Sequence, residues 1–118
     1  MDEIKRGDIL LVNLDPTIGH EIKKSRPAVI IQNDLGNKHS PITIIAPITS
    51  QNIEKVYPIE VLLLQRNSGL EKNSKVLLNQ IRAIDKRRVI KKLGRVDKET
   101  MAEIDNSIKI SLGLVEIG

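Results

Sequence analysis

The sequence predicts a single domain that is mainly β with one C-terminal helix, an α+β arrangement. The chain has 118 residues, which is enough for one domain spanning 1–118 and too few for two. Short runs rich in Ile, Val and Leu occupy most of it, as half-buried strands prefer. Towards the end, apolar residues recur instead at steps of three and four, which is a helical period. Short strands at this spacing are typical of a small, strongly bent sheet or barrel.

Five apolar runs in the chain are predicted to be strands, because residues that favour turns separate them. The runs are 9–14, 28–31, 42–48, 59–64 and 75–82, and a short sixth strand is expected around Val89 and Ile90. Residues 33–37 have the sequence Asn-Asp-Leu-Gly-Asn, which indicates a turn. Pro47 cannot donate to a sheet ladder, so the end of the third run is expected at an edge or a bulge.

The last segment predicts one amphipathic helix whose apolar side lies on the sheet. Its apolar stripe comprises Met101, Ile104, Ile108 and Leu112. Asp97 is a suitable N-cap, Glu99 favours the first turn and Lys109 favours the end. Gly113 is placed to terminate the helix.

Composition excludes several classes of protein. Hydrophobic residues make up 40% and charged residues 29%, which is typical of a soluble globular chain. No apolar run approaches the ~20 residues that cross a bilayer, so no membrane association is expected. The chain has no cysteine, which excludes disulfides, thiol catalysis and thiolate zinc sites. The first residues lack the order of a signal peptide, and the expected location is therefore the cytoplasm.

The distribution of charge indicates a polyanionic partner. The net charge is +4, and seven basic residues lie between residues 82 and 95 against Asp85 alone, followed by four acids between residues 97 and 105. A basic stretch of this kind fits nucleic acid, and the alternative is a solvated surface. Tyr57 is the single aromatic residue, so neither the core nor a ligand site is expected to rely on aromatic stacking.

Four short motifs follow one another along the chain. They are Arg6-Gly7-Asp8-Ile9, Arg26-Pro27-Ala28-Val29-Ile30-Ile31-Gln32-Asn33, Thr49-Ser50-Gln51 and Gln80-Ile81-Arg82-Ala83-Ile84-Asp85. Together, in this order and spacing, they resemble the MazF/PemK (Kid, EndoA) toxins. The similarity runs from Lys5 to about Leu114, which is nearly the whole chain.

The resemblance implies an SH3-like small barrel of the CcdB/MazF type with a C-terminal helix. It implies a homodimer and a metal-independent endoribonuclease (an mRNA interferase) that needs no cofactor and cuts single-stranded RNA at a short sequence. It also implies a toxin–antitoxin pair in which an acidic, partly disordered antitoxin lies over the basic groove.

Cleavage of RNA without a metal ion uses the substrate's own 2′-hydroxyl as the nucleophile. One group must accept the 2′ proton, a second must stabilise charge on the phosphoryl oxygens, and a third must protonate the departing 5′ oxygen. The expected products carry a 2′,3′-cyclic phosphate and a 5′-hydroxyl.

Arg26 is the first candidate for stabilising the phosphoryl charge. Its guanidinium can bind two phosphate oxygens, and Pro27 biases its backbone towards an extended form. The alternative is a surface arginine that begins a strand. In the family the matching arginine and threonine form the main catalytic pair, so the resemblance assigns Thr49 to hold the scissile phosphate. A strand-end threonine that bonds its own backbone is the alternative there.

The general base is harder to assign, because arginine stays protonated in proteins. Some relatives have an aspartate at the position of Asn79, whose amide cannot accept the proton. Glu21 matches a family glutamate, and it is proposed as the base or as the residue that orients Arg26. The alternative is an exposed acid paired with Lys23 or Lys24.

RNA-binding residues are proposed in the loop before Arg26, after the third run and in the fifth run. They are Ile18, His20, Lys23, Lys24, Ser50, Gln51, Gln80 and Arg82. Gln80 and Arg82 are two apart on a predicted strand and should face the same side, where Gln80 could read a base edge and Arg82 could hold a phosphate. The alternative is a polar outer face of the strand. His20 is also a candidate for proton transfer.

The loop 19–27 departs from the family pattern, which typically has a glycine pair where this chain has Lys23 and Lys24. The loop is therefore expected to be stiffer and more basic. Stronger phosphate contacts and an altered sequence preference would follow, so recognition rules from relatives do not transfer.

Two other functions are compatible with parts of the sequence. A CcdB-like inhibitor of DNA gyrase shares the implied fold, acts by protein binding and depends on an aromatic C-terminal tail. This chain ends in Leu114-Val115-Glu116-Ile117-Gly118, without a tryptophan. A noncatalytic RNA-binding barrel is allowed by composition alone. Cleavage of a defined RNA in the presence of EDTA separates the enzyme from both.

Overall fold

A computed structural model describes residues 3–22 and 24–116. In these residues the chain forms an antiparallel, barrel-like open sheet and a C-terminal helix, as predicted. The strands are β1 (Asp8–Asn13), β2 (Ser25–Ile30), β3 (Ile42–Thr49), β4 (Glu60–Leu63), β5 (Ser74–Leu77), β6 (Arg82–Asp85) and β7 (Val89–Arg95). The helices are α1 (Asp34–His39) and α2 (Lys98–Ser111), and 3-10 turns span Gln65–Asn67 and Lys86–Arg88.

The strand β3 organises the sheet because it changes partner along its length. The order of the sheet is β4-β5-β3-β2-β1-β7, and β6 also pairs with β3. On that side β3 pairs with β6 as far as Ile45 and with β5 from Ile48. The expectation that Pro47 marks an edge is wrong, since β3 is internal. Its missing N–H falls instead between the two partners, where the ladder is interrupted.

Apolar side chains pack on both faces of the central strands, which explains why their sequences are continuously apolar. On one face Ile9 and Val29 belong to a cluster that includes residues of β4, β5 and α2. On the other face Leu10 and Ile30 belong to a second cluster, to which β6 contributes Ile84. Within the described residues the protein thus has two hydrophobic cores, and neither contains an aromatic residue.

The helix α2 begins and ends where the sequence predicts. The carboxylate of Asp97 accepts the N–H of Thr100 at 2.8 Å, and Gly113 has a φ of +75° beyond the helix end. Ile104 is fully buried against the sheet. The prediction that Leu112 joins the buried stripe is wrong, because the helix ends before it and the side chain is exposed. Within the residues described, neither helix is long and apolar enough to cross a membrane.

The predicted fifth strand, 75–82, is two strands. β5 ends at Leu77, the N–H of Gln80 bonds back to the Leu77 carbonyl in a turn, and Arg82 begins β6. The physical reason is the position of both strands beside β3. Since β5 pairs with one end of β3 and β6 with the other, the chain must turn between them.

Two further predictions about local structure need correction. Residues 33–37 do not form a simple turn; they begin α1, because the side chain of Asn33 accepts the N–H of Gly36 as an N-cap. The strand expected near Val89 is also longer and pairs with β1 over the whole of β7. The lysines of β7 interrupt the apolar pattern that predicts a strand, but charged residues are common in strands at the edge of a sheet.

Candidate functional site

The pairing of β2 with β3 covers only residues 28–30 against 45–47. Pro27 and Pro47 both lie at this end of the pairing, and Pro27 has no N–H to donate. β2 nevertheless stays paired with β1 down to its first residue, and β3 stays paired with β5 at its last two. Each strand is therefore held on its far side while the two strands part from each other, which opens a cleft.

Arg26 and Thr49 lie on β2 and β3 just beyond the point where these two strands stop pairing. The last register pair joins Ala28 to Pro47, and the two predicted catalytic residues each lie two positions beyond it. Opposite residues of antiparallel strands project on the same face. Thr49 is 8% exposed, and its Oγ1 accepts the N–H of Gln51 at 3.1 Å. That bond uses the hydroxyl as an acceptor, which leaves its proton able to donate.

A cavity of about 360 Å³ lies at the cleft, and Arg26 and Ser50 both line it. Its apolar lining includes Leu11, Pro27 and Ile48, and its charged lining adds Lys72, Lys91 and Glu71. Three cationic side chains against one carboxylate favour an anionic ligand. The planar guanidinium of Arg26 is the group best suited to bind two oxygens of a phosphate at once.

The loop between β1 and β2 is held at both ends by residues distant in sequence. Arg82 Nη1 donates to the Leu14 carbonyl at 3.1 Å, and Gln80 Oε1 accepts the Ile22 N–H at 2.8 Å. The expectation that Gln80 and Arg82 lie on one strand is therefore wrong, but both reach the same loop. Part of their hydrogen-bonding capacity anchors this loop.

A second cavity, of about 390 Å³, lies beneath this loop. It is lined by His20, Glu21 and Ile22 from the loop and by Asn79, Gln80, Ile81 and Arg82 from the β5–β6 turn. Of the predicted residues, Arg26 and Ser50 line the first cavity and His20, Glu21, Gln80 and Arg82 line the second. The described residues that line these two cavities do not include Thr49, Ile18, Lys24 or Gln51. Glu21 accepts the N–H of Ile18 through Oε1, which closes the loop on itself. Ile18 is 83% exposed at the loop tip.

Lys24 adopts a backbone conformation that glycine favours. Its φ is +71°, and its N–H donates to Asp15 Oδ1 at 3.0 Å while its carbonyl accepts the Leu14 N–H at 3.2 Å. A non-glycine residue in this region costs about 1–2 kcal/mol. Position 24 thus keeps a glycine-type conformation without a glycine, and the two hydrogen bonds made by the backbone of Lys24 offset the strain. Lys23 lies outside the described residues.

Most of the basic residues between residues 82 and 95 bind to other groups of the protein. Hydrogen bonds or ion pairs to protein oxygens engage Arg82, Lys86, Arg87, Arg88, Lys92 and Arg95. Arg87 donates twice to Asp85, and these bonds lower the pKa of that carboxyl. Lys91 instead lines the first cavity with Arg26. The run therefore braces loops and strands as well as contributing positive charge.

Sequence reasoning missed a buried ion pair beside the cleft. Lys75 is 4% exposed, and its Nζ lies 2.9 Å from Glu60 Oε1. Lys75 is the register partner of Thr49 between β5 and β3. Lys75 occurs in an apolar run. Because side chains alternate along a strand, Lys75 faces the side opposite to Val76, and this alternation is the only local signal that it lies outside the core that contains Val76. Its ionic partner is fifteen residues away, so no local pattern indicates the pair.

The chain is similar in sequence to proteins of a known family. Residues 5–112 match the family described as PemK-like, MazF-like toxin of type II toxin–antitoxin system. The chain is 41% identical over 113 residues to Endoribonuclease EndoA of Bacillus subtilis (strain 168), an alignment that covers 96% of this chain and 97% of that protein. The resemblance inferred from the four motifs is confirmed.

Solved structures share the fold. MazF from Deinococcus radiodurans superposes with a TM-score of 0.81 at 27% identity, covering 96% of this chain and 99% of that one. An endoribonuclease from mycobacteria, solved in complex with its cognate antitoxin, superposes with a TM-score of 0.80 over 97% of this chain and 99% of that one; at 21% identity it supports the fold alone. The chain therefore belongs to the PemK-like, MazF-like toxins of type II toxin–antitoxin systems.

Proposed function

We propose that this protein is an endoribonuclease that cuts single-stranded RNA at a short sequence without a metal ion. The family and the endoribonuclease relative support the activity. The observation that carries the site is the cleft where β2 and β3 part, with Arg26 and Thr49 each two residues beyond the last paired positions. A cationic donor and a hydroxyl donor can together stabilise the charge that develops on the phosphoryl oxygens.

In the proposed reaction the substrate's 2′-oxygen attacks the adjacent phosphorus while the bond to the 5′-oxygen breaks. Arg26 binds two nonbridging oxygens and stabilises the charge that builds on them, and Thr49 donates to the phosphoryl group and holds it in line. The 2′ proton goes to a base and the departing 5′-oxygen gains a proton. The products are a 2′,3′-cyclic phosphate and a 5′-hydroxyl.

Glu21 is proposed as the base or as the residue that orients Arg26. One of its oxygens accepts the Ile18 N–H, and the other has capacity for a further hydrogen bond. The RNA would cross the two cavities. We assign its binding to Ile18, His20, Lys23, Lys24, Ser50, Gln51, Gln80 and Arg82. Because Gln80 and Arg82 also anchor the loop, their substitution should change both loop position and RNA affinity.

An acidic antitoxin and a second copy of the chain are the proposed protein partners, and the cytoplasm, where mRNA is translated, is the proposed place of action. The family description supports the antitoxin. An acidic chain would compete with RNA for the cationic cleft through the same charges. An antitoxin that binds tightly and leaves the affinity for RNA unchanged would contradict this mechanism.

The activity is tested by incubating a defined RNA with the protein in EDTA. We expect cleavage to survive chelation and to fall by at least about 10²-fold in Arg26→Ala, which removes the charge that stabilises the transition state. Arg66→Ala is the matched control, since Arg66 is exposed on the 3-10 turn Gln65–Asn67. Loss of cleavage in EDTA would contradict the metal-independent mechanism. Retention of RNA without cleavage would identify a noncatalytic binding module instead.

A further inference from the structure

Tyr57 is the only aromatic residue of the chain, and it belongs to neither hydrophobic core. It belongs to the segment 50–59, which follows Thr49 directly and leads into β4. The residue is 51% exposed. Its exposure is shared by several aliphatic residues, among them Ile18 and Leu112, so the contacts that hold the ring are more informative than the exposure itself.

The buried lysine of β5 fixes this segment. Lys75 Nζ donates to the carbonyl of Lys55 and to Glu60 Oε1, both at 2.9 Å. The side chains of Lys75 and Glu60 are 5% and 10% exposed. A charge that is removed from water is costly unless it is paired, so these contacts bind the segment firmly to the sheet.

The same ion pair holds Tyr57 at its backbone and at its ring. The N–H of Tyr57 donates to Glu60 Oε1 at 3.0 Å, and the N–H of Glu60 donates to the Tyr57 carbonyl at 2.8 Å. Lys75 Nζ stands 5.9 Å from the centroid of the ring, within the range of a cation–π contact. Contacts to both backbone and ring restrict the side chain, while half of the residue's surface stays accessible.

This arrangement adjoins the proposed catalytic threonine. Lys75 is paired in register with Thr49, so the two side chains project on the same face of β3 and β5. Tyr57 thus faces a lysine that is the register partner of Thr49. An RNA whose scissile phosphate lies at Thr49 would bring a neighbouring base close to the ring.

We propose that Tyr57 is a base-stacking residue for a nucleotide beside the scissile phosphate, and that Lys75 and Glu60 are positioning residues that hold its ring. The inference rests on the proposed nuclease activity. Aromatic rings bind bases by stacking with little regard to base identity, and rigid placement reduces the entropy lost on binding. The expectation from composition, that no ligand site relies on aromatic stacking, is revised by this placement.

The first test compares cleavage by the wild type, Tyr57→Phe and Tyr57→Leu. We expect Tyr57→Leu to raise KM by about tenfold and to change kcat by less than about twofold, because a lost stacking contact weakens binding without altering the phosphoryl site. Tyr57→Phe keeps the ring and should behave as the wild type. Equal KM values for wild type and Tyr57→Leu would overturn the proposal.

The second test observes the ring directly. Because the chain has one tyrosine and neither tryptophan nor phenylalanine, its ring protons form a simple NMR signal. The probe is the RNA that the wild type cleaves, resynthesised with a 2′-deoxy sugar at the cut so that it binds without reacting. Stacking predicts an upfield shift that saturates with RNA. A ring signal that stays unmoved, or that moves with protein concentration alone, overturns the proposal, the latter by assigning the ring to contact with a second copy.

The third test separates positioning from general stability. Lys75→Met should raise KM in the wild type but have no further effect in Tyr57→Leu, since both changes act on one stacking contact. Lys109→Met, at an exposed position of α2, is the control for loss of one positive charge. Equal effects of Lys75→Met in both backgrounds would reject the positioning role. If Lys75→Met fails to fold in a thermal melt, Glu60→Gln takes its place in the same cycle.

The outcomes distinguish this inference from the function on which it rests. A wild-type protein that cleaves no RNA rejects the nuclease proposal itself. A wild-type protein that cleaves RNA, with unchanged KM in Tyr57→Leu and no movement of the ring signal, rejects the stacking role alone.

Discussion

The backbones of Arg26 and Thr49 belong to β2 and β3, two strands that do not pair with each other at these residues. Arg26 is paired with Val12 of β1, and Thr49 is paired with Lys75 of β5. Their backbones are therefore fixed independently of any ligand. A preorganised donor stabilises developing charge without the cost of reorganising during the reaction, which is why a cleft between two anchored strands suits phosphoryl chemistry.

Glu21→Gln tests the role of the loop carboxylate. If Glu21 accepts the 2′ proton, the amide should lower kcat by about 10²-fold or more and remove the acid limb of the pH–rate profile. Glutamine still offers an oxygen to the Ile18 N–H, so the loop contact is kept. Cleavage rates are measured from roughly pH 3 to pH 9, on either side of the ordinary carboxyl and histidine pKa values.

Glu103→Gln, at an exposed position of α2, is the control for the loss of one carboxylate. Unchanged cleavage by Glu21→Gln at every pH would eliminate the base role. A uniform loss with the pH profile retained would favour the orientation of Arg26 instead.

At the scale of secondary-structure elements, β3 and α2 show how packing selects among equivalent patterns. β3 has three neighbours, and its change of partner from β6 to β5 accounts for the split of the fifth run. The stripe of α2 is buried at Ile104 and exposed at Leu112. Periodicity identifies the side of a helix that can be buried, but the length of the helix and the extent of the sheet decide which residues are.

Ile104→Ala measures the contribution of α2 to the core. Ile104 is 0% exposed, and we expect the substitution to lower the free energy of unfolding by about 2–5 kcal/mol, through lost burial and the cavity that is left. Leu35→Ala, at a side chain 73% exposed on α1, should change it by less than about 0.5 kcal/mol. Urea unfolding followed by circular dichroism provides both values. Similar losses at the two positions would contradict the packing described for α2.

At the scale of the whole molecule, exposed aliphatic side chains support the proposed homodimer. Leu62 of β4 is 42% exposed, and Leu112 and Leu114 beyond α2 are 61% and 70% exposed. A specific interface removes about 1,200–2,000 Å² from water in total, and aliphatic residues at its centre supply much of the free energy.

Sedimentation equilibrium tests the homodimer. We expect a mass of twice the 13.2 kDa of the chain at micromolar concentration, because the exposed aliphatic surface is buried on association. The mass should change little between low and high salt if apolar burial provides most of the free energy. A single species of 13.2 kDa at that concentration would contradict the dimer.

Much of the site was accessible from the sequence because its chemistry is carried by residue types within short motifs. Arg26 before Pro27, and Thr49 at the end of an apolar run, were identified before any fold was known. The uses of Gln80 and Arg82 as loop anchors were not, because their partners lie 58 and 68 residues away. Composition alone predicts no stacking role for Tyr57. The contact of its ring with Lys75 depends on a pairing between strands.

By itself the sequence determined the β content and the C-terminal helix with its caps, whereas Arg26 and Thr49 were proposed as site residues through the resemblance to the family. The strands and the helix depend on local period and on the chemistry of individual residues, which are properties of a segment. Only the tertiary structure decided that β5 and β6 share one side of β3, that the pairing of β2 with β3 ends at Ala28 and Pro47, and that a buried lysine holds the lone tyrosine. Those features arise from contacts between segments distant along the chain, and the hydrophobic pattern of any one segment is compatible with several such pairings.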